Sequence, residues 1–369
     1  MSSPDESLQD TVLAPLDAAN LEALGLVSSV RGGKRKVSSS IWSLDSTATT
    51  PFTSSSSDEQ TIEIPEVMRS KETFLFLGLT EDLATTLWER WLDISPDDRG
   101  PDGPISFLSL AETIITGHDE DVWCVNEPWI NFITSLGFSN ELAEAICDPQ
   151  YDGIRFTGSA KFWLLDTLQL RWRSLEDLQD MSRVSYTPSP AQSEMDRMQA
   201  RWPSDFHGIL SPGPVYYLTL QKAVAQKYAA FARRRSNSSA TSVIRLEIAD
   251  SILQKYKPVR IEHDSSDMWQ IIIWHSRSGR RRIPEPYSHL DNVPVLIGPV
   301  CRADDSAMEK LGSWTEVTDR HILMVEEEVW NEKEKVYESR NRRGIQYAFN
   351  GPDIQLDLEA NCKMELRPC

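Results

Sequence analysis

The sequence predicts an α+β protein in three parts: a disordered tail over 1–68, a small all-helical bundle over 69–186 and, past a linker over 187–202, an α+β domain over 203–369. Three observations carry this. Apolar residues recur at helical spacing from about 69 to 182, whereas alternating runs take over beyond 215. Net charge is segregated, at -6 over 1–68, -12 over 69–186 and zero over 187–369. Thr187-Pro188-Ser189-Pro190 stands between the halves as a stiff hinge with two Ser/Thr-Pro dipeptides. A chain of 369 residues with 40% apolar composition and 12 Trp can bury a core, which excludes wholly disordered protein. Its formal charge of -18 argues against sequence-independent binding to phosphate backbones.

The tail is rich in Ser, Thr, Asp and Glu, and no period is sustained across it, so it reads as disordered. Lys34-Arg35-Lys36 ahead of Ser38–Ser40 reads as a solvated basic spot, with a kinase target or nuclear-import cluster as the alternative. In the bundle, Leu83, Leu87 and Trp91 form a stripe behind Thr80 as cap. Phe107, Leu110, Ala111, Ile114 and Ile115 give a second helix closed by Gly117. Trp129, Phe132, Ile133 and Leu136 give a third, ended by Gly137, and Ser139 caps a fourth through Ile146. Leu165, Leu168, Trp172 and Leu175 mark a longer helix from about 159 to 181. Stripes of this kind bury one another, which gives a bundle.

In the last part, Val215–Thr219 reads as a strand, followed by a helix through Val224, Tyr228 and Phe231 that ends in Arg233-Arg234-Arg235. Strands are expected at Val243–Ile248, Val259–Glu262, Met268–His275, Val293–Ile297 and Ile345–Phe349, and a helix at Glu326–Arg340. Strands that follow one another directly exclude a regular βαβ repeat.

The sequence contains no G-x-S-x-G elbow, phosphate loop, H-E-x-x-H or dinucleotide fingerprint. The six His stand singly and read as ordinary surface or core residues, and no metal site is expected. Five Cys at long intervals fit reduced thiols in cytosol or nucleus. No signal peptide and no membrane span are expected. Glu326-Glu327-Glu328 reads as a helix start ahead of an acid/base site. Arg277 with Arg280, Arg281 and Arg282 brackets what reads as a hairpin tip, and Arg340, Arg342 and Arg343 precede the last strand. These forks suit phosphate groups, and they equally suit neutralising the acidic bundle across an interdomain face.

Taken in order, P-S-D-F-H-G-I-L-S-P-G-P-V-Y-Y-L-T (Pro203–Thr219), the Ala/Tyr-rich helix through Ala232, V-I-R-L-E-I (Val243–Ile248), V-L-I-G-P-V (Val295–Val300) and G-I-Q-Y-A-F (Gly344–Phe349) resemble a bacterial and fungal domain family with an ADP-ribosyltransferase-like fold. The resemblance covers about residues 203–365. It implies a split α+β sheet holding NAD in a cleft, with ADP-ribose transfer as the activity. It also implies that Tyr217 and Thr219 contact the cofactor and that Gln346 is a catalytic candidate on the last strand. Structural roles for these three, as core aromatic, helix cap and strand polar residue, are the competing reading. The chain departs from the family in lacking a first strand with a gripping His or Arg upstream of Pro203. His207 follows Asp205-Phe206, and no Glu lies two residues from Gln346. The sequence therefore predicts a soluble intracellular regulatory or interaction protein with a degenerate transferase-like domain. An active NAD-dependent ADP-ribosyltransferase is the alternative, and RNA binding through the Arg clusters is the third reading.

Overall fold

A computed structural model describes residues 10–38, 61–99, 105–118, 129–182, 215–236, 241–261, 263, 267–278, 283–303 and 305–368. The linker over 187–202, the approach Pro203–Pro214 with Asp205, Phe206 and His207, and Arg280, Arg281 and Arg282 lie outside these residues.

The first part is more structured than its composition suggests. Helix α1 (Pro15–Ala23) precedes an antiparallel pair, β1 (Lys34–Ser38) and β2 (Thr61–Pro65), in the register Lys34↔Pro65. The disorder expected over 1–68 is corrected for 10–38 and 61–68, which form these elements, and the remaining residues of that segment lie outside the described ones. Val12, Leu13, Val27, Val37 and Ile64 make a small core that is completed by Leu175 and Leu178 from the long helix far along the chain. The basic spot is part of this unit, since Arg35 is largely buried and grips Glu66 with a bidentate fork.

The bundle follows its stripes. Its helices are α2 (Lys71–Leu77), α3 (Glu81–Asp93), α4 (Phe107–Thr116), α5 (Trp129–Ser135), α6 (Asn140–Ile146), the short α7 (Asp152–Arg155) and α8 (Ala160–Ser182). Phe107 stacks on Phe74 at 4.1 Å and meets the edge of Trp91 at 5.2 Å, joining α2, α3 and α4. Ser139 accepts from the Leu142 amide at 3.2 Å, the cap expected of it. Thr80 holds the cap position of α3 but donates its hydroxyl to the Gly137 carbonyl at 2.9 Å instead. That bond joins two turns whose glycines, Gly78 (φ +101°) and Gly137 (φ +88°), occupy the left-handed region.

The second half is mixed α and β. A four-stranded sheet runs in the order β3-β9-β6-β5, from β3 (Val215–Leu218), β9 (Ile345–Asn350), β6 (Val295–Pro299) and β5 (Val259–Arg260). Within it β5 and β6 are parallel and the other neighbours antiparallel. A separate pair joins β4 (Ser242–Glu247) to β10 (Lys363–Pro368). Helix α9 (Lys222–Arg235) follows β3, as its stripe predicts, and α10 (Asp250–Tyr256) and α12 (Pro352–Asn361) close one sheet face over Tyr216, Val295 and Phe349.

Two expectations are corrected. Met268–His275 is not a strand but most of helix α11 (Met268–Arg277). Its β-branched run hid a helical face, Trp269, Ile272 and Ile273, which buries against Leu296 and Ala348 on the other face of the sheet. Glu326–Arg340 is not a helix but an antiparallel hairpin of β7 (Met324–Asn331) and β8 (Val336–Arg343), so Glu326–Glu328 are strand residues and mark no helix start. The turn at 332–335 is closed by Asn331, whose Oδ1 accepts from the Lys333 amide at 3.0 Å, and Lys335 takes φ +55°. Glu and Lys favour helix locally, but the turn and the cross-strand rows override that preference.

The halves are also not separate bodies joined by a hinge. Val224 and Phe231 of α9, with Val300 after β6 and Leu323 and Val325 from the root of the hairpin, belong to the same core as the bundle. No helix among the described residues is long and apolar enough to cross a membrane.

Candidate functional site

The sheet brings two of the sequence candidates together. Tyr217 lies opposite Ala348, and Gln346 opposite Gly298, so Tyr217 and Gln346 share the face that α11 covers. Gln346 is buried and Tyr217 half-buried against that core. Thr219 leaves the strand and acts as a structural clasp. Its hydroxyl donates to the Ile345 carbonyl at 2.8 Å and accepts from the Gln221 amide at 3.1 Å. Gln221 then receives the Ile345 amide at 2.6 Å and donates to the Arg343 carbonyl at 3.0 Å. The junction of β3 and α9 is thereby stitched to the start of β9.

Arg277 is not at a hairpin tip. It is the last residue of α11, buried, and its Nη2 donates to the Thr157 carbonyl of the bundle at 2.7 Å. Thr157 in turn meets the Tyr228 hydroxyl of α9 at 3.0 Å. Arg277 thus meets the bundle through a backbone carbonyl, while Arg280, Arg281 and Arg282 lie outside the described residues.

The same seam holds two arginines that sequence reasoning passed over. From α8, Arg171 donates Nε to the Arg235 carbonyl at 3.0 Å and approaches Glu141 at 3.3 Å. Arg235 donates Nη1 to Asp166 and to Thr167, each at 2.7 Å, with its guanidinium 4.6 Å over Trp163 and 4.3 Å over Phe231. Burial pulls both guanidinium pKa values down, while Glu141 and Asp166 oppose it for their respective partners. The signal was present as Arg233-Arg234-Arg235 at a helix end, but nothing in the sequence says which of the three turns inward.

Among the described residues, one surface that stands outside this packed frame is the β7-β8 hairpin. Its root is fixed by the Val325 contacts and by Asp319, which lies 3.0 Å from His263 and 3.6 Å from Arg343. Its outer end presents Trp330 and Tyr337 as a cross-strand aromatic pair, with Tyr337 69% exposed. Glu338 receives Arg340 at 2.8 Å and the Asn331 amide, and these bonds hold its carboxyl below the usual range. The charges of β7 are all acidic, Glu326, Glu327 and Glu328, whereas β8 carries Arg340, Arg342 and Arg343 beside Glu338. Such an arm, with an aromatic pair beneath a charged turn and charge along its strands, can add a strand or clasp a protein surface.

Among the described residues no group of His, Cys, Asp or Glu is placed to hold a metal ion. No family model, curated protein or solved structure matches the chain.

Proposed function

We propose that this chain is a regulatory interaction protein of a reducing compartment, in which a degenerate ADP-ribosyltransferase-like domain serves as a rigid mount for the β7-β8 hairpin. The observation that carries the reading is the engagement of Thr219, whose hydroxyl is committed on both its donor and acceptor sides to Ile345 and Gln221. A cofactor would have to displace bonds that hold the sheet junction, at a cost of about 1 kcal/mol each. The buried position of Gln346 and the free thiols of Cys147 and Cys362 support the same reading.

The alternative, turnover of NAD, is favoured by one observation, the shared sheet face of Tyr217 and Gln346. Calorimetric titration of NAD into the full chain separates the two. The interaction reading expects no saturable heat. Binding that disappears in Tyr217→Ala, in a variant that keeps its fold, would overturn it in favour of the enzyme.

A further inference from the structure

We propose that the outer edge of β8 pairs antiparallel with the same edge of a second copy of this chain, joining two hairpins into one β7-β8-β8-β7 sheet. The proposal deepens the interaction reading and rests on it for the hairpin's role. Among the described residues β8 pairs only with β7, and the residues along it from Val336 to Arg342 are exposed or half-exposed. Among the described residues no other strand pairs with that edge from Val336 to Arg342, and such an edge is a template for another strand.

The sequence of β8 selects both the partner and the register. A two-fold axis perpendicular to the sheet keeps each face on its own side, so facing residues must be both odd-numbered or both even-numbered. With the axis at Ser339, Glu338 faces the partner's Arg340 and Arg340 faces the partner's Glu338. Tyr337 then faces the partner's Asn341, and Val336 faces the partner's Arg342. Shifting the axis by one residue sets Glu338 against the partner's Glu338, or Arg340 against the partner's Arg340. Shifting it two towards the root sets Arg340 against the partner's Arg342, and two towards the tip leaves little strand overlapped.

The register inside each hairpin extends the pattern. Glu327 lies opposite Arg340 and Val329 opposite Glu338. One row of the joined sheet therefore reads Val329, Glu338, the partner's Arg340 and the partner's Glu327, with charges alternating across it. Opposite charges in facing positions stabilise a sheet, whereas like charges oppose it. Beyond the strand, Lys335 comes opposite the partner's Arg343, whose charge Asp319 already meets at 3.6 Å. Pairing of β7 edges would instead face one Glu run with another, and α9 packs against the root of that strand. The charges that commonly protect an edge from association are here arranged so that this one pairing is permitted.

Sedimentation velocity of the full chain, over a dilution series reaching on the order of 100 μM, tests the proposal at a strength suited to a small interface. A reversible dimer is expected. Glu338→Arg and Arg340→Glu should each weaken it by about tenfold or more, because two facing pairs become repulsive. An equimolar mixture of these two variants should regain dimer, since both rows of the mixed pair again set opposite charges together. Both side chains lie on the surface, and unchanged melting of the variants checks the fold. A monomeric wild type, single variants that dimerise as tightly as wild type, or a mixture that stays monomeric would each overturn self-pairing. None of these results alters the NAD titration, which decides the interaction reading separately.

Discussion

Replacing Arg235 by Ala should unfold both halves of the molecule at lower denaturant in one transition. The side chain is 2% exposed and supplies the 2.7 Å bonds to Asp166 and Thr167 together with two aromatic contacts. Removing one partner of a buried ion pair costs about 3–5 kcal/mol, because the remaining charge is left uncompensated. Asp166 is 22% exposed, so its carboxylate regains some water, which moves the expectation to the lower end of that range. Loss of the two cation–π contacts adds roughly 0.5–2 kcal/mol each in a dry site, and about 4–7 kcal/mol is expected in total. Arg235→Met keeps most of the volume and should lose less. Urea unfolding followed by tryptophan fluorescence and by far-ultraviolet dichroism measures this, and Trp163 beside the vacated site reports locally. A loss below about 1 kcal/mol would refute the assignment of the seam as a structural charge network. Two separate transitions in the wild type would refute the shared core.

Two further outcomes follow from particular contacts. Gly78→Ala should cost about 1–3 kcal/mol by thermal melting, because the backbone is at φ +101° and the added Cβ would lie 2.8 Å from the Leu142 side chain and 3.0 Å from Arg171 Nη1. His321 is buried with its Nδ1 accepting from the Thr318 amide at 2.9 Å, and burial, then the Arg320 charge, lowers its pKa. The unfolded chain therefore takes up this proton more readily than the folded one. The contribution to stability is present above the ordinary imidazole value of about 6.5 and is lost as pH falls through the lower folded value. Stability measured from pH 7.5 downward should decline below about 6.5, and His321→Asn should flatten that part of the curve.

What is legible in the sequence divides along the range of the forces involved. Where one element is long and its apolar stripe regular, the sequence was sufficient: α3, α4 and α8 appear where Leu87, Leu110 and Leu168 place them. Strand β9 likewise appears at Ile345–Asn350. The segment 10–38 was missed because its core is assembled from single residues such as Val12, Val37 and Ile64, and is completed by Leu175 and Leu178. Such a set has no period to detect in a local window. Of the candidate site, the strands that carry Tyr217 and Gln346 were legible, but not that the two residues share one face of the sheet. The bonds of Thr219 were beyond reach, because its partner Ile345 lies 126 positions away in the chain.

What the sequence determined alone was the α+β composition, the positions of its strongly periodic helices and strands, and the division of charge between acidic bundle and neutral second half. Tertiary structure decided the rest. It turned Met268–Arg277 into a helix because only a helical face could bury Trp269, Ile272 and Ile273 together against the sheet. It folded a helix-favouring acidic and basic run into a hairpin, because cross-strand rows and an Asn331-closed turn outweigh local propensity. It also made two expected domains into one packed body, since Arg171, Arg235 and Arg277 bury their charges only where the halves meet. Those are long-range choices, fixed by which surfaces can exclude water together, and no local stretch of the chain contains them.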